Sequence, residues 1–150
     1  LADETNMTVS VLNNDMTLTQ ITKVNIEGGV SNKGIEGLTY GEDTLYIAIQ
    51  EAPTLIIKYD LKTNTEKSRQ TVSFAVYLSE ICFDCTDRTL WISDSQQKML
   101  LHCTLKGEVI ASQPIDFVSK AEALLVDRKH NCCWIGCDLT GNLYKVILKI

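Results

Sequence analysis

Three polar residues stand at one even step along the chain: Glu36, Ser79 and Glu122, each 43 positions from the next. Each precedes a short apolar stretch, Gly37-Leu38-Thr39-Tyr40, Glu80-Ile81-Cys82-Phe83 and Ala123-Leu124-Leu125-Val126. If such a repeat winds about an axis, equivalent positions converge on it, and carboxylates brought together there repel. They then raise their pKa values or recruit a cation. An all-oxygen donor set suits Ca2+ better than zinc, so Glu36 and Glu122 are the candidate metal ligands and Ser79 fills the equivalent place between them. Glu51, Asp94 and Asp138 end the apolar stretches that follow and are second candidates for the same region. The alternative is structural, with each glutamate accepting backbone hydrogen bonds where a strand begins.

Other reactive residues point to less. Cys82-Phe83-Asp84-Cys85 is a C-x-x-C, but it lies on a strand running into a turn, not at a helix start, which argues against thioredoxin-like redox chemistry. A zinc site needs a second matched pair, and Cys132, Cys133 and Cys137 do not make one. Cys132 and Cys137 on one extended strand would lie ~16 Å apart, too far to bond. The plain reading of the six cysteines is buried thiols packed as small hydrophobes, with zinc or one inter-strand disulfide as alternatives. His102 falls on a strand and His130 in a turn. No serine, histidine and acid share a spacing that suggests a triad, and no nucleophile elbow is present. Hydrolysis would therefore have to run through a metal on the axis. The glycine-bearing loop 27–34 lacks the G-x-G-x-x-G order of a phosphate cradle.

The elements that must position these residues are legible as a repeat. Thr89-Leu90-Trp91-Ile92-Ser93-Asp94-Ser95 recurs in degenerate form as Leu45-Tyr46-Ile47-Ala48-Ile49-Gln50 and as Cys133-Trp134-Ile135-Gly136-Cys137-Asp138. A further strand follows each, over 54–61, 98–105 and 141–148, and a more polar fourth follows the first two, over 69–74 and 108–115. The first unit has a turn shorter by two residues. Before them, 7–12 and 16–26 alternate about the turn Asn13-Asn14-Asp15 and read as a hairpin, while residues 1–6 read as loose. The segment 119–126 is too short and too apolar on all sides for an amphipathic helix. Four strands per period of about 40 to 45 residues describe a β-propeller blade. Continuous apolar runs fit inner strands covered on both faces, and Tyr46, Trp91 and Trp134 would wedge between blades. The expected fold is all-β: a propeller-like array of four-stranded antiparallel blades, about three and a half of them. The units are 1–33 (a hairpin completing a preceding blade, plus a loop), 34–77, 78–119, and 120–150 (a blade without its outer strand). Closed propellers usually carry four to eight blades. The remainder of the ring is thus an expected partner, supplied upstream in the same protein or by a second copy.

Composition excludes several classes. Apolar residues at 45% and charged residues at 22% describe a globular protein. A net charge of −5 argues against a nucleic-acid surface. No apolar run reaches the roughly 18 residues of a membrane helix, and no signal-peptide pattern opens the chain. Leu1 is not a natural start, so the chain reads as a processed or truncated piece, with one glycosylation sequon at Asn6-Met7-Thr8.

The stretches Lys33-Gly34-Ile35-Glu36-Gly37-Leu38-Thr39-Tyr40, Leu90-Trp91-Ile92-Ser93-Asp94-Ser95 with Leu105-Lys106-Gly107-Glu108-Val109, and Ala121-Glu122-Ala123 with Leu143-Tyr144-Lys145-Val146 resemble the C-terminal half of the bacterial SdiA-regulated propeller family. The likeness runs in order through most of residues 7–150. The Leu90–Ser95 strand also looks like NHL and YWTD blades. The sequence departs from the family where Glu80 and Ala123 replace glycines and in its cysteines. The resemblance implies a six-bladed ring and no established catalytic activity, and it leans towards the bacterial envelope, whereas free thiols would favour the cytoplasm. A further resemblance, to calcium-binding lactonase-type propellers with a glutamate in a similar place, adds weight to the axial cation. The expected function is a non-catalytic propeller binding a small ligand or protein at the channel mouth, with Ca2+ as the axial cation. The alternative is a metal-dependent phosphoesterase or lactonase built round Glu36 and Glu122, and a third reading is a purely structural fragment.

Overall fold

A computed structural model describes residues 1–27 and 34–149; most of the glycine-bearing loop lies outside the described residues. The described chain is antiparallel β throughout, with one 3-10 turn at Arg128–His130. The first sheet holds β1 (Ala2–Asp3), β2 (Thr8–Leu12) and β3 (Leu18–Lys23) in that order. The second runs β4 (Ile35–Gly41), β5 (Thr44–Ile49), β6 (Leu55–Asp60) and β7 (Thr65–Thr71), and the third β8 (Leu78–Asp84), β9 (Thr89–Asp94), β10 (Met99–Cys103) and β11 (Val109–Pro114). The fourth contains β12 (Ala121–Asp127), β13 (Cys132–Cys137) and β14 (Leu143–Ile147). Each is a meander in sequence order, the arrangement of propeller blades. Residues 1–6 are not loose as expected: Ala2 and Asp3 pair with Val9 and Thr8, and the Leu1 amino group donates to the Ser10 carbonyl at 2.8 Å.

Turn chemistry explains the uneven first repeat. β4 and β5 are joined by Glu42 and Asp43 alone, both with positive φ (54° and 60°), the two-residue hairpin turn whose twist matches that of the strands. The corresponding connections β8–β9 and β12–β13 are longer by two residues and end in left-handed Arg88 and Asn131.

Period-two alternation places side chains on both faces of each sheet, and here both faces are apolar. Leu45, Ile47 and Ile49 of β5 join Val9 and Val24 in one core between the first two sheets. Tyr46 and Ala48, pointing the other way, join Ile81, Leu90, Ile92, Leu101 and Cys103 in the next. Trp91 turns towards the fourth sheet and packs with Leu100, Cys133, Ile135 and Val146. Polar links tie the layers: Phe83 N–H donates to Thr39 Oγ1 at 2.8 Å, Tyr59 hydroxyl to the Ile21 carbonyl at 3.1 Å, and Gln113 Nε2 to the Ile147 carbonyl at 3.0 Å. The outer strands β7 and β11 are largely exposed, as rim strands can be.

Tyr46 and Trp91 are 3% and 2% exposed, the inter-sheet wedges that the repeat predicts. Trp134 holds the same register on the outward face of the fourth sheet and is only partly covered, beside exposed Leu125 and Leu143. All six cysteines are unpaired, four of them buried. Removing Trp91 should leave a large cavity: Trp91→Ala is expected to cost about 3–5 kcal/mol in urea unfolding, and Trp134→Ala in this chain no more than about 1–2 kcal/mol. Equal losses would contradict the described packing.

Candidate functional site

The three evenly spaced residues share one backbone device. Strand pairing shifts register between Ile35 and Gly37, between Leu78 and Glu80, and between Ala121 and Ala123. In each inner strand the residue at the bulge is thus Glu36, Ser79 or Glu122. A bulge gives one strand an extra residue and re-aims its side chain. Each axial residue follows a well-buried anchor, Ile35, Leu78 or Ala121.

Each also takes a partner from the residue just after the neighbouring second strand or its equivalent: Gln50, Ser95 and Asp138. Gln50 Nε2 donates to Glu36 Oε1 at 2.7 Å. The Ser79 and Ser95 hydroxyls lie 2.6 Å apart. Lys120 Nζ bridges Glu122 Oε1 at 2.6 Å and Asp138 Oδ2 at 2.9 Å. Reading the sequence for carboxylates selects Glu51 and Asp94 instead, one place out of this register. Asp94 is fully buried and spends its carboxylate on the N–H groups of Val76, Gln96 and Gln97 at 2.7–3.0 Å and of Tyr77 at 3.3 Å, fastening its own turn to the entry of β8. Glu51 follows Gln50 on a partly buried bend.

Glu36 is the most perturbed axial acid. Burial, then the charges of Glu4 and Glu122, push its carboxyl up to about 7. Glu4, in the segment expected to be loose, hydrogen-bonds it. Gln50 is 3% exposed, and its Oε1 has no hydrogen-bond partner among the described residues, so a buried acceptor is left open beside a crowded carboxyl. Glu122 is neutralised by Lys120. An open groove of about 400 Å³ runs along Glu122, Cys137, Asp138 and Asn142. A neighbouring groove of about 440 Å³ is lined by Glu80, Ala123, Leu125, Trp134 and Leu143. Burial pushes Glu80 up to about 7 as well, although the Ile81 and Leu38 amides oppose it.

Cys137 occupies in the fourth sheet the place of Asp94 in the third. Its sulfur bonds the Thr140 side chain and the amides of Lys120, Thr140 and Leu139, the counterparts of those around Asp94, and these hold the thiol down at about 7. Sequence reasoning missed Glu4, Gln50 and Lys120. Only the strict repeat register of Gln50 with Ser95 and Asp138 could have flagged one of them.

Residues 2–144 match the model of the SdiA-regulated family. No curated relative matches the sequence. Among solved structures, the chain is similar to a gluconolactonase from Xanthomonas campestris (TM-score 0.68, 18% identity, covering 94% of this chain and 44% of that one). It is also similar to a streptogramin B lyase (0.59, 14%, 97% and 49%) and to virginiamycin B lyase from Staphylococcus aureus (0.60, 11%, 97% and 50%). These likenesses show the propeller fold, and the chain spans about half the length of those proteins.

Glu36 and Glu80 keep their protons to about 7 when folded, against 4.5 when unfolded. Between those values the folded state binds the extra protons, so their contribution to stability is lost as pH rises through the window. Thermal unfolding at about pH 5 and about pH 7 should show the wild type losing some 3–5 °C more than a Glu36→Gln, Glu80→Gln double variant. Identical losses would mean that neither carboxyl is perturbed.

Proposed function

Because the chain belongs to the SdiA-regulated family, we propose that it is the binding half of a propeller that takes a hard cation, Ca2+, or a small ligand at the channel mouth round Glu36, without catalysis of its own. The observation that carries this reading is the open, buried Gln50 Oε1 beside a carboxyl already crowded by Glu4 and Glu122. An open buried amide oxygen beside carboxyl groups suits a hard cation, and the oxygen-only donor set fits Ca2+. Glu36 and Gln50 would hold it, with Glu4 supplying charge and Glu122 already shared with Lys120; when bound, the ion would replace the proton that Glu36 otherwise retains. Calorimetric titration with Ca2+ should show saturable binding that strengthens as pH rises through about 7 and is lost in Glu36→Gln. Binding that ignores this substitution would remove the axial site.

A second reading is a metal-dependent lactonase or phosphoesterase. It is favoured by Glu36, whose carboxyl near 7 has the proton affinity of a general acid or base at neutral pH, and by the fold shared with a gluconolactonase. Hydrolysis of lactones or phosphoesters that vanishes with chelator and with both Glu36→Gln and Glu122→Gln would establish it, and no turnover across such a panel favours binding alone.

The outward face of the fourth sheet, with Trp134 in wedge register and Leu125 and Leu143 at 61% and 65% exposure, supports a further blade of the same protein as its partner. Light scattering should find this chain alone to be a monomer that binds an apolar dye, with the dye response suppressed by Leu125→Lys. A stable dimer would instead make a second copy the occupant.

A further inference from the structure

We propose that Asp84, Asp87 and His102 form a binding site for a divalent transition metal, at the strand ends opposite the axial glutamates, whose place the Arg128 guanidinium takes in its absence. A ring nitrogen of His102 and one carboxylate oxygen from each aspartate lie within 4.8 Å of one another. The three arrive from separate pieces of the third sheet: the end of β8, the turn after it, and the middle of β10.

The imidazole is the informative member. His102 is 5% exposed and lies flat on Trp91, with ring centroids 4.2 Å apart and planes 9° from parallel. Its Nε2 meets Thr89 Oγ1 at 2.8 Å, and its Nδ1 has no hydrogen-bond partner among the described residues. An unmet buried nitrogen is costly, a poor choice for a strand position that a leucine would fill.

The carboxylate beside it is already oriented. Trp91 Nε1 donates to Asp84 Oδ2 at 3.1 Å and the Thr86 amide to Oδ1 at 2.9 Å, the kind of outer support that fixes a metal ligand. Asp84 is 3% exposed, so its charge demands a cation. Arg128 supplies one, with Nε 3.2 Å from Asp84 and Nη2 2.6 Å from Asp87. That guanidinium comes from the turn of the fourth sheet and borders an open groove of about 360 Å³ that Asp84 and Cys85 also line, so it has room to swing aside and let an ion enter. Mixed imidazole and carboxylate donors select zinc, cobalt, nickel, manganese or iron over calcium, which distinguishes this place from the axial one.

The test is a Co2+ titration of the full chain in a Glu36→Gln background, read by visible absorption and calorimetry. One ion per chain is expected. Arg128→Gln should tighten binding at least tenfold by removing the competitor, and Asp87→Asn, at an exposed position, should weaken it at least tenfold with an unchanged circular dichroism spectrum. His102→Gln gives the same loss if it folds. The proposal is overturned by no saturable binding in either the parent or the Arg128→Gln chain, by binding indifferent to Asp87→Asn, or by a thiolate-to-cobalt charge-transfer band that would place the ion on Cys85.

Discussion

Burial of apolar sheet faces against one another is the interaction on which the rest of this chain depends. A strand such as β5 sends Leu45, Ile47 and Ile49 one way and Tyr46 and Ala48 the other, and neither set can be left in water cheaply. At about 25 cal/mol per Å² of apolar surface, a sheet with two such faces is stable only between neighbours. Twisted sheets stacked this way fan about a line, which carries equivalent residues of successive sheets towards that line. The convergence of Glu36 with Glu122 is a by-product of this packing, and so is the perturbation of Glu36.

Much of this was legible in the sequence because the repeat is a one-dimensional pattern. The step of 43, the apolar second strands and the wedge positions of Tyr46, Trp91 and Trp134 follow from side-chain type alone. What escaped depends on backbone detail or on contacts distant along the chain. The bulges at Glu36, Ser79 and Glu122 leave no mark in residue type, yet they decide where those side chains point. The two-residue strand at Ala2–Asp3 is too short for periodicity to register, and with it went Glu4. Glu51 and Asp94 attracted notice as acids, while the side chains that bond Glu36 and Ser79 are an amide and a hydroxyl in strict register, Gln50 and Ser95. The grouping of Asp84, Asp87 and His102 joins two hairpins and could be seen only once their strands were paired.

The axial end shows how one repeated frame can be given direction. The same two positions carry a carboxyl with an amide, two hydroxyls, and a carboxylate bridged by an ammonium to its partner. A ring of identical groups would offer a ligand no preferred orientation. This arc runs from acidic, through neutral, to internally compensated, and among the described residues only its first pair leaves a buried acceptor open. Fold and function separate at this point: the sheets set where the positions lie, and the residues placed there set the chemistry.

The exchange of Asp94 for Cys137 within one nest of amides has a consequence of its own. Both hairpins are fastened by an acceptor in the same backbone cradle, but oxygen and sulfur age differently. A carboxylate is inert to peroxide, whereas a thiolate climbs through sulfenic to sulfinic acid and grows with each step. In the fourth sheet that growth would occur inside the amide cradle, so oxidation of Cys137 would loosen the last hairpin while its elder sister, closed by Asp94, stayed fastened.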